Sequence, residues 1–200
     1  MDNSLLLQIE KAKKSLLSSG VVCFPTETVM GLGVLYNDID AYHKMNVIKE
    51  RPEDKPYTMM LGDKKDIDKY AYLSQRDRKI VESFMPGPVT LLLKSKDNVP
   101  SFVTHNTGVI GVRVADNKCI REMISYVGKP LLVPSANRSG DKPLANYQDV
   151  IKEFGDELAY VVKENAGNSK PSTIIDLTHE DVKILREGPI SLRDIERMIK

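Results

Sequence analysis

The 200-residue sequence contains no tryptophan, only two cysteines, and a formal net charge of just +1 at neutral pH. Each shortage excludes something. Cys23 lies in an apolar run and Cys119 precedes a helical pattern, so neither a disulfide framework nor metal-ligand spacing is present, and both read as small buried hydrophobes. A charge this close to zero lacks the cationic excess of general nucleic-acid binding, and aromatic residues, at 6%, are too scattered for a broad stacking surface. No apolar run approaches the roughly 20 residues of a membrane helix. The opening Met1-Asp2-Asn3-Ser4 has no basic stretch, and Lys11, Lys13 and Lys14 interrupt the apolar positions after it, which argues against a secretory signal and for a cytoplasmic protein without membrane association. In that setting the glycosylation sequon Asn137-Arg138-Ser139 is accidental.

Common catalytic signatures are missing too. Gly31-Leu32-Gly33 is followed by Tyr36 where the dinucleotide fingerprint needs its third glycine, and there is no Gly-Lys-Ser/Thr phosphate loop. His43, His105 and His179 lie far apart, with no zinc-type spacing, and no Gly-x-Ser-x-Gly elbow supports a serine hydrolase. No resident metal site is expected.

What is present is an alternation of helical and strand patterns. Leu5, Leu6, Ile9, Ala12, Leu16 and Leu17 recur at helical spacing behind Ser4 as N-cap, with Gly20 placed as the left-handed residue after the helix. Further helices are expected over 40–49, stopped by Pro52, over 75–84 behind a Ser74/Asp77 capping box, over 116–127 ended by Gly128, over 147–154, and after Ser191 with Asp194 as its cap. Strands are expected over 21–24, 57–61, 89–93, 109–114, 131–133, 159–162, 173–177 and 182–185. This predicts one layered α/β domain over 1–200, with a mixed sheet because several strands succeed each other without a helix between. In such folds ligands gather at loops beyond strand ends.

Those loops carry the candidate residues. Lys49, Arg51 and Lys55 are close in sequence and are released from helical geometry by Pro52, so they could converge on a polyphosphate. Glu50, Glu53 and Asp54 in the same stretch equally allow a solvated surface cluster beside a helix C-terminus. The segment 25–33 reads as a hairpin turn whose glycines would also let backbone approach a ligand. Arg113 interrupts an apolar strand and needs an anion, from the protein or from a carboxylate substrate. Ser135 and Asn137 come directly after a strand, where they could bind phosphate or ribose or simply form a turn. Ser172 and Arg186 repeat the pattern of polar groups at strand ends.

Seven motifs occur in a fixed order: 24–33 from Phe24 to Gly33, Lys49-Glu50-Arg51-Pro52, 85–93 from Met85 to Leu93, Val112-Arg113-Val114, 134–140 from Pro134 to Gly140, Pro171-Ser172-Thr173-Ile174-Ile175-Asp176, and Leu185-Arg186-Glu187-Gly188. In this order they resemble the YrdC-like family of L-threonylcarbamoyladenylate synthases, across positions 5 to 195, in the short form that lacks the extra C-terminal domain of longer members. The resemblance implies a twisted, open mixed sheet with flanking helices around a basic cavity. It implies formation of threonylcarbamoyl-AMP and pyrophosphate from L-threonine, bicarbonate and ATP, with Mg2+ accompanying ATP, for threonylcarbamoyl modification of tRNA through a downstream transferase complex. It places Thr28, Arg113 and Ser172 around threonine, and Arg51, Lys55, Ser135, Asn137 and Arg186 around ATP, with Lys49, Arg51 and Lys55 as the catalytic cations. The chain departs from the family pattern at Met30, where Tyr is usual, and at Tyr57, Ala115 and Glu187. Two other readings compete. One is an RNA-binding or ribosome-maturation module that contacts tRNA or other RNA through the same cavity; the other is carbamoyl transfer, as in the YrdC-type domain of hydrogenase-maturation proteins, whose zinc-finger regions are missing here.

Overall fold

The amphipathic pattern behind Ser4 becomes helix α1 (Asn3–Leu17) in the computed structural model, which describes residues 3–52, 55–167 and 170–199. Ser4 therefore lies inside the helix rather than at its cap. At the other end Ser19, not Gly20, takes the left-handed conformation (φ 54°). Gly20 is needed for a different reason: a Cβ there would sit 2.5 Å from the Ala159 methyl group.

Strand β1 (Val22–Phe24) leads through the loop 25–30 into β2 (Gly31–Leu35), an antiparallel hairpin pairing Val22 with Gly33. The sequence pattern alone reads these glycines as part of a turn, whereas Gly31 and Gly33 are strand residues. Phe24 explains them, because a Cβ on Gly33 would approach its ring to 2.4 Å. Helix α2 (Ile39–Lys49) is capped by the Asp38 carboxylate accepting from the Ala41 N–H. Next come strand β3 (Thr58–Met60), a 3-10 helix (Lys64–Lys69) and α3 (Gln75–Phe84), with the Ser74/Asp77 capping box formed in both directions. The short helix α4 (Ser101–Thr104), like the 3-10 helix, has too few residues to show periodicity in the sequence.

Strands β4 (Val89–Lys94), β5 (Val109–Arg113) and β6 (Leu131–Val133) fall where apolar runs predict them. Between the last two lies α5 (Lys118–Val127), ended by Gly128 at φ 77° as expected. The remaining elements are α6 (Tyr147–Phe154), a second 3-10 helix (Gly155–Glu157), β7 (Tyr160–Val161), β8 (Thr173–Asp176), β9 (Lys183–Arg186) and α7 (Leu192–Ile199), whose first turn is held by Ser191 and Asp194.

Among the described residues the strands form one open mixed sheet in the order β7-β1-β2-β6-β3-β5-β4-β8-β9. Side chains alternate across it. Ile9, Ala12 and Leu16 of α1 and Cys119, Ile120 and Met123 of α5 cover one face over β1, β6 and Met60; a second cluster, with Met45, Met59, Ile80, Leu91, Val112 and Ile175, fills the other. The first face is left uncovered beyond Met60, over β5, β4, β8 and β9, and that is where the polar side chains gather. Among the described residues no helix is long and apolar enough to cross a membrane.

Candidate active site

The site is a row of side chains crossing five strands. Met60 on β3 pairs with Arg113 on β5, and the register joining Leu91 to Val112 brings Thr90 of β4 beside Arg113. Thr90 pairs with Ile174 on β8, and Ile174 with Arg186 on β9. Partners in adjacent strands point to the same face, so residues from sequence positions 60 to 186 share one surface. All five line a hollow of about 180 Å3.

Arg186 reaches this face through an irregularity. Simple alternation would put it on the side of Ile184, which pairs with Ile175 and packs against the core. The register shifts between Ile174 and Ile175, so Leu185 is an extra residue and Arg186 turns to the hollow.

One wall is the loop after β1. Thr26 Oγ1 accepts from the N–H groups of Thr28 and Val29 at 3.1 and 3.2 Å and donates to the Val29 carbonyl at 2.7 Å, closing a tight hydroxyl turn. This sets Thr28 Oγ1 3.2 Å from Arg113 Nη2. Arg113, 6% exposed, also donates from Nε to the Gly87 carbonyl at 3.3 Å and forms a 2.8 Å ion pair with Glu27. The anion that the buried arginine requires is thus present within the protein.

The other cations differ. Arg186 donates to Ser172 O at 3.0 Å and to Ser172 Oγ at 3.2 Å, while Ser172 Oγ lies 2.9 Å from Thr90 Oγ1. Burial, reinforced by Arg113, lowers the Arg186 pKa from its ordinary value. Arg51 donates to the carbonyls of Lys55 and Pro56 and lies 4.9 Å over the Tyr57 ring. Among the described residues neither Arg51 nor Arg186 has a carboxylate partner.

Lys49 has a different place from the one expected. Glu50 caps α2 in the left-handed conformation (φ 50°), which sends Arg51 to the hollow and leaves Lys49 1% exposed. Its ammonium donates to the carbonyls of Ser135 and Asn137 at 2.6 and 2.5 Å and is not among the groups lining the hollow. Burial, with repulsion from Arg51 and Arg138, pushes its pKa down to about 8. Lys49 therefore braces the turn after β6. Ser135 lines the hollow, whereas Asn137 ties the turn together, accepting from Ser135 Oγ at 2.5 Å and donating to the carbonyls of Arg138 and Asp141. Lys55 is exposed, outside the lining, next to the undescribed Glu53 and Asp54.

Thr28, Arg51, Arg113, Ser135, Ser172 and Arg186 thus surround one hollow, while Lys49, Asn137 and Lys55 stand behind or outside it. Glu27 and Thr90 are additions. In the sequence Thr90 is one more β-branched residue of a strand, and only the inward alternation of β4 could have marked it.

The chain matches the Sua5_yciO_yrdC family, described as telomere recombination, over residues 14–188. It belongs to that family. A putative threonylcarbamoyl-AMP synthase of Methanocaldococcus jannaschii is 35% identical over 94% of this chain and 89% of its own length. The threonylcarbamoyl-AMP synthase of Photorhabdus laumondii is 29% identical over 94% of this chain and 100% of its own. Among solved structures, P. abyssi Sua5 complexed with L-threonine superposes with a TM-score of 0.91 at 28% identity, covering 96% of this chain and 57% of that one. The family fold, an open mixed sheet with flanking helices, is thus the fold of this chain.

Proposed function

We propose that this chain is a threonylcarbamoyl-AMP synthase, which joins L-threonine and bicarbonate to the AMP part of ATP and releases pyrophosphate. The observation that supports this most is the pair of guanidinium groups, Arg51 and Arg186, turned to one hollow without carboxylate partners among the described residues, beside an Arg113 already partly neutralised by Glu27. Such an arrangement takes a strongly charged anion at one end and a single carboxylate at the other.

In this reading Arg113 and Thr28 hold the threonine carboxylate, and Ser172 stands beside it. The amine nitrogen bonds to the carbon of bicarbonate with loss of water, giving a carbamate. A carbamate oxygen then attacks the α-phosphorus, the bond to the β-phosphate oxygen breaks, and pyrophosphate departs with the electron pair. Arg51 and Arg186 stabilise charge on the phosphates, with Ser135 placed for the nucleotide. No side-chain nucleophile is required, so catalysis rests on positioning and charge. Mg2+ enters as part of the nucleotide substrate; among the described residues no group of three or more His, Cys, Asp or Glu could hold a metal of its own. The product is labile and serves a downstream transferase that modifies tRNA, in the cytoplasm.

The test is pyrophosphate release from MgATP with and without L-threonine and bicarbonate, with the adenylate identified by mass. Release that needs both co-substrates is expected. Threonine-independent release, or none, would overturn the reading in favour of RNA binding.

A further inference from the structure

The proposed reaction leaves unexplained how a hollow of this shape would tell threonine from amino acids of equal size. Thr90 stands next to Arg113 in the row, one strand spacing away, about 4.8 Å. Thr90 is 2% exposed yet lines the hollow. Its rotamer is readable from its surroundings: a methyl placed on Gly111 would come within 3.4 Å of Thr90 Cγ2, whereas Thr90 Oγ1 lies 2.9 Å from Ser172 Oγ. The methyl group therefore lies along the sheet floor and the hydroxyl points toward Ser172.

Two hydroxyl groups bring two hydrogens, and their mutual contact uses one. Ser172 Oγ also receives an N–H from Arg186, which can only donate. Among the described residues no further acceptor is in place for the remaining hydrogen. A buried hydroxyl pair with a hydrogen to give and a lone pair to share suits a ligand hydroxyl, because leaving such a group unmatched is costly. The next residue in the row, Ile174, and Met60 on the far side of Arg113 are apolar and suited to a methyl group.

We infer that Thr90, acting with Ser172, recognises the side-chain hydroxyl of the amino acid substrate and sets the preference for a β-hydroxy amino acid over its deoxy analogue. The inference rests on the function proposed above and names a specificity-determining residue that lies outside the charged motifs. It also separates two tasks at one end of the hollow: Arg113 reads the carboxylate, and Thr90 reads the side chain.

The experiment compares kcat/KM for L-threonine and for L-2-aminobutyrate, which lacks only the hydroxyl, in the wild type, Thr90→Val and Ser172→Ala, by pyrophosphate release with saturating MgATP and bicarbonate. Thr90→Val keeps the β-branched shape of the strand residue, and circular dichroism checks its fold. In Thr90→Val, kcat/KM for L-threonine is expected to fall about ten- to a hundredfold while that for L-2-aminobutyrate stays within about twofold, collapsing the ratio. Ser172→Ala should lower the same ratio, and it carries the test if Thr90→Val does not fold, since general damage lowers both substrates together. A wild-type ratio retained in the folded variants overturns the hydroxyl subsite while leaving the synthase reading intact. A wild type without threonine-dependent turnover overturns both.

Discussion

The two ends of the hollow handle charge in opposite ways. At the Arg113 end the guanidinium is enclosed, paired with Glu27 and fastened to Thr28 and Gly87. At the Arg51 end the guanidinium is held by carbonyls and a ring face, with no carboxylate partner among the described residues. The first end is preorganised and nearly neutral, so it can bind a monoanion of fixed geometry without a large desolvation cost. At the second the charge is not offset by a carboxylate among the described residues. The difference teaches that a chain of near-neutral overall charge can still hold a cationic site, by which arginines are given partners.

That contrast can be broken most directly at Arg113. Arg113→Ala should raise the KM for L-threonine on the order of ten- to a hundredfold while leaving the KM for ATP within a small factor, and should cost ~1–2 kcal/mol of stability because the ion pair with half-buried Glu27 is lost. Steady-state kinetics and urea denaturation read the two effects, and equal rises in both KM values would mean that the ends are not separate.

Lys49 supports the other end indirectly. Its pKa, pushed down to about 8 from an ordinary 10.5, means that between those values the unfolded chain holds a proton the folded chain has released. Stability should therefore rise with pH across that window, by at most ~3 kcal/mol, with the full penalty for the buried charge present below it. Lys49→Met should abolish the rise, as measured by urea midpoints at either end of the window. Because it frees the Ser135 and Asn137 carbonyls, it should also weaken use of ATP more than use of threonine.

Arg51→Ala should raise the KM for ATP roughly tenfold, the worth of one charge-assisted contact, with threonine little affected. Arg186→Ala should raise both constants, since Arg186 holds Ser172 and also lines the hollow that the proposed reaction shares between the two substrates. Ser74→Ala removes a capping box remote from the site, and should cost ~1 kcal/mol of stability with unchanged kinetics. Lys55→Ala is expected to have the smallest effect, about threefold in the KM for ATP at low salt and vanishing as salt rises, because the residue is exposed.

Much of this architecture is legible in the sequence. The Ser74/Asp77 box, the Gly128 stop and the apolar strands are local signals, and each is realised at its own position in the fold. Strand β2 is hidden because its glycines resemble turn residues until the Phe24 ring beneath them is known. At the site the charged residues stand out as anomalies in apolar or proline-broken stretches. Lys49 looks the same as Arg51, and only the left-handed turn at Glu50 decides that one points in and the other out. Thr90 gives little signal beyond its place in the 85–93 motif and on the inward side of β4, since its meaning comes from Ser172, 82 positions away and just ahead of the neighbouring strand β8.

The extra residue in β9 has a consequence beyond aiming Arg186. β9 is the last strand of an open sheet, and its outer backbone groups are a template on which a neighbouring chain could extend the sheet. A bulge increases local twist and spoils the regular spacing such growth requires, and Lys183 adds a charge at the rim. The same irregularity that turns Arg186 to the hollow thus leaves the exposed Leu185 on an edge that is poorly shaped to be copied.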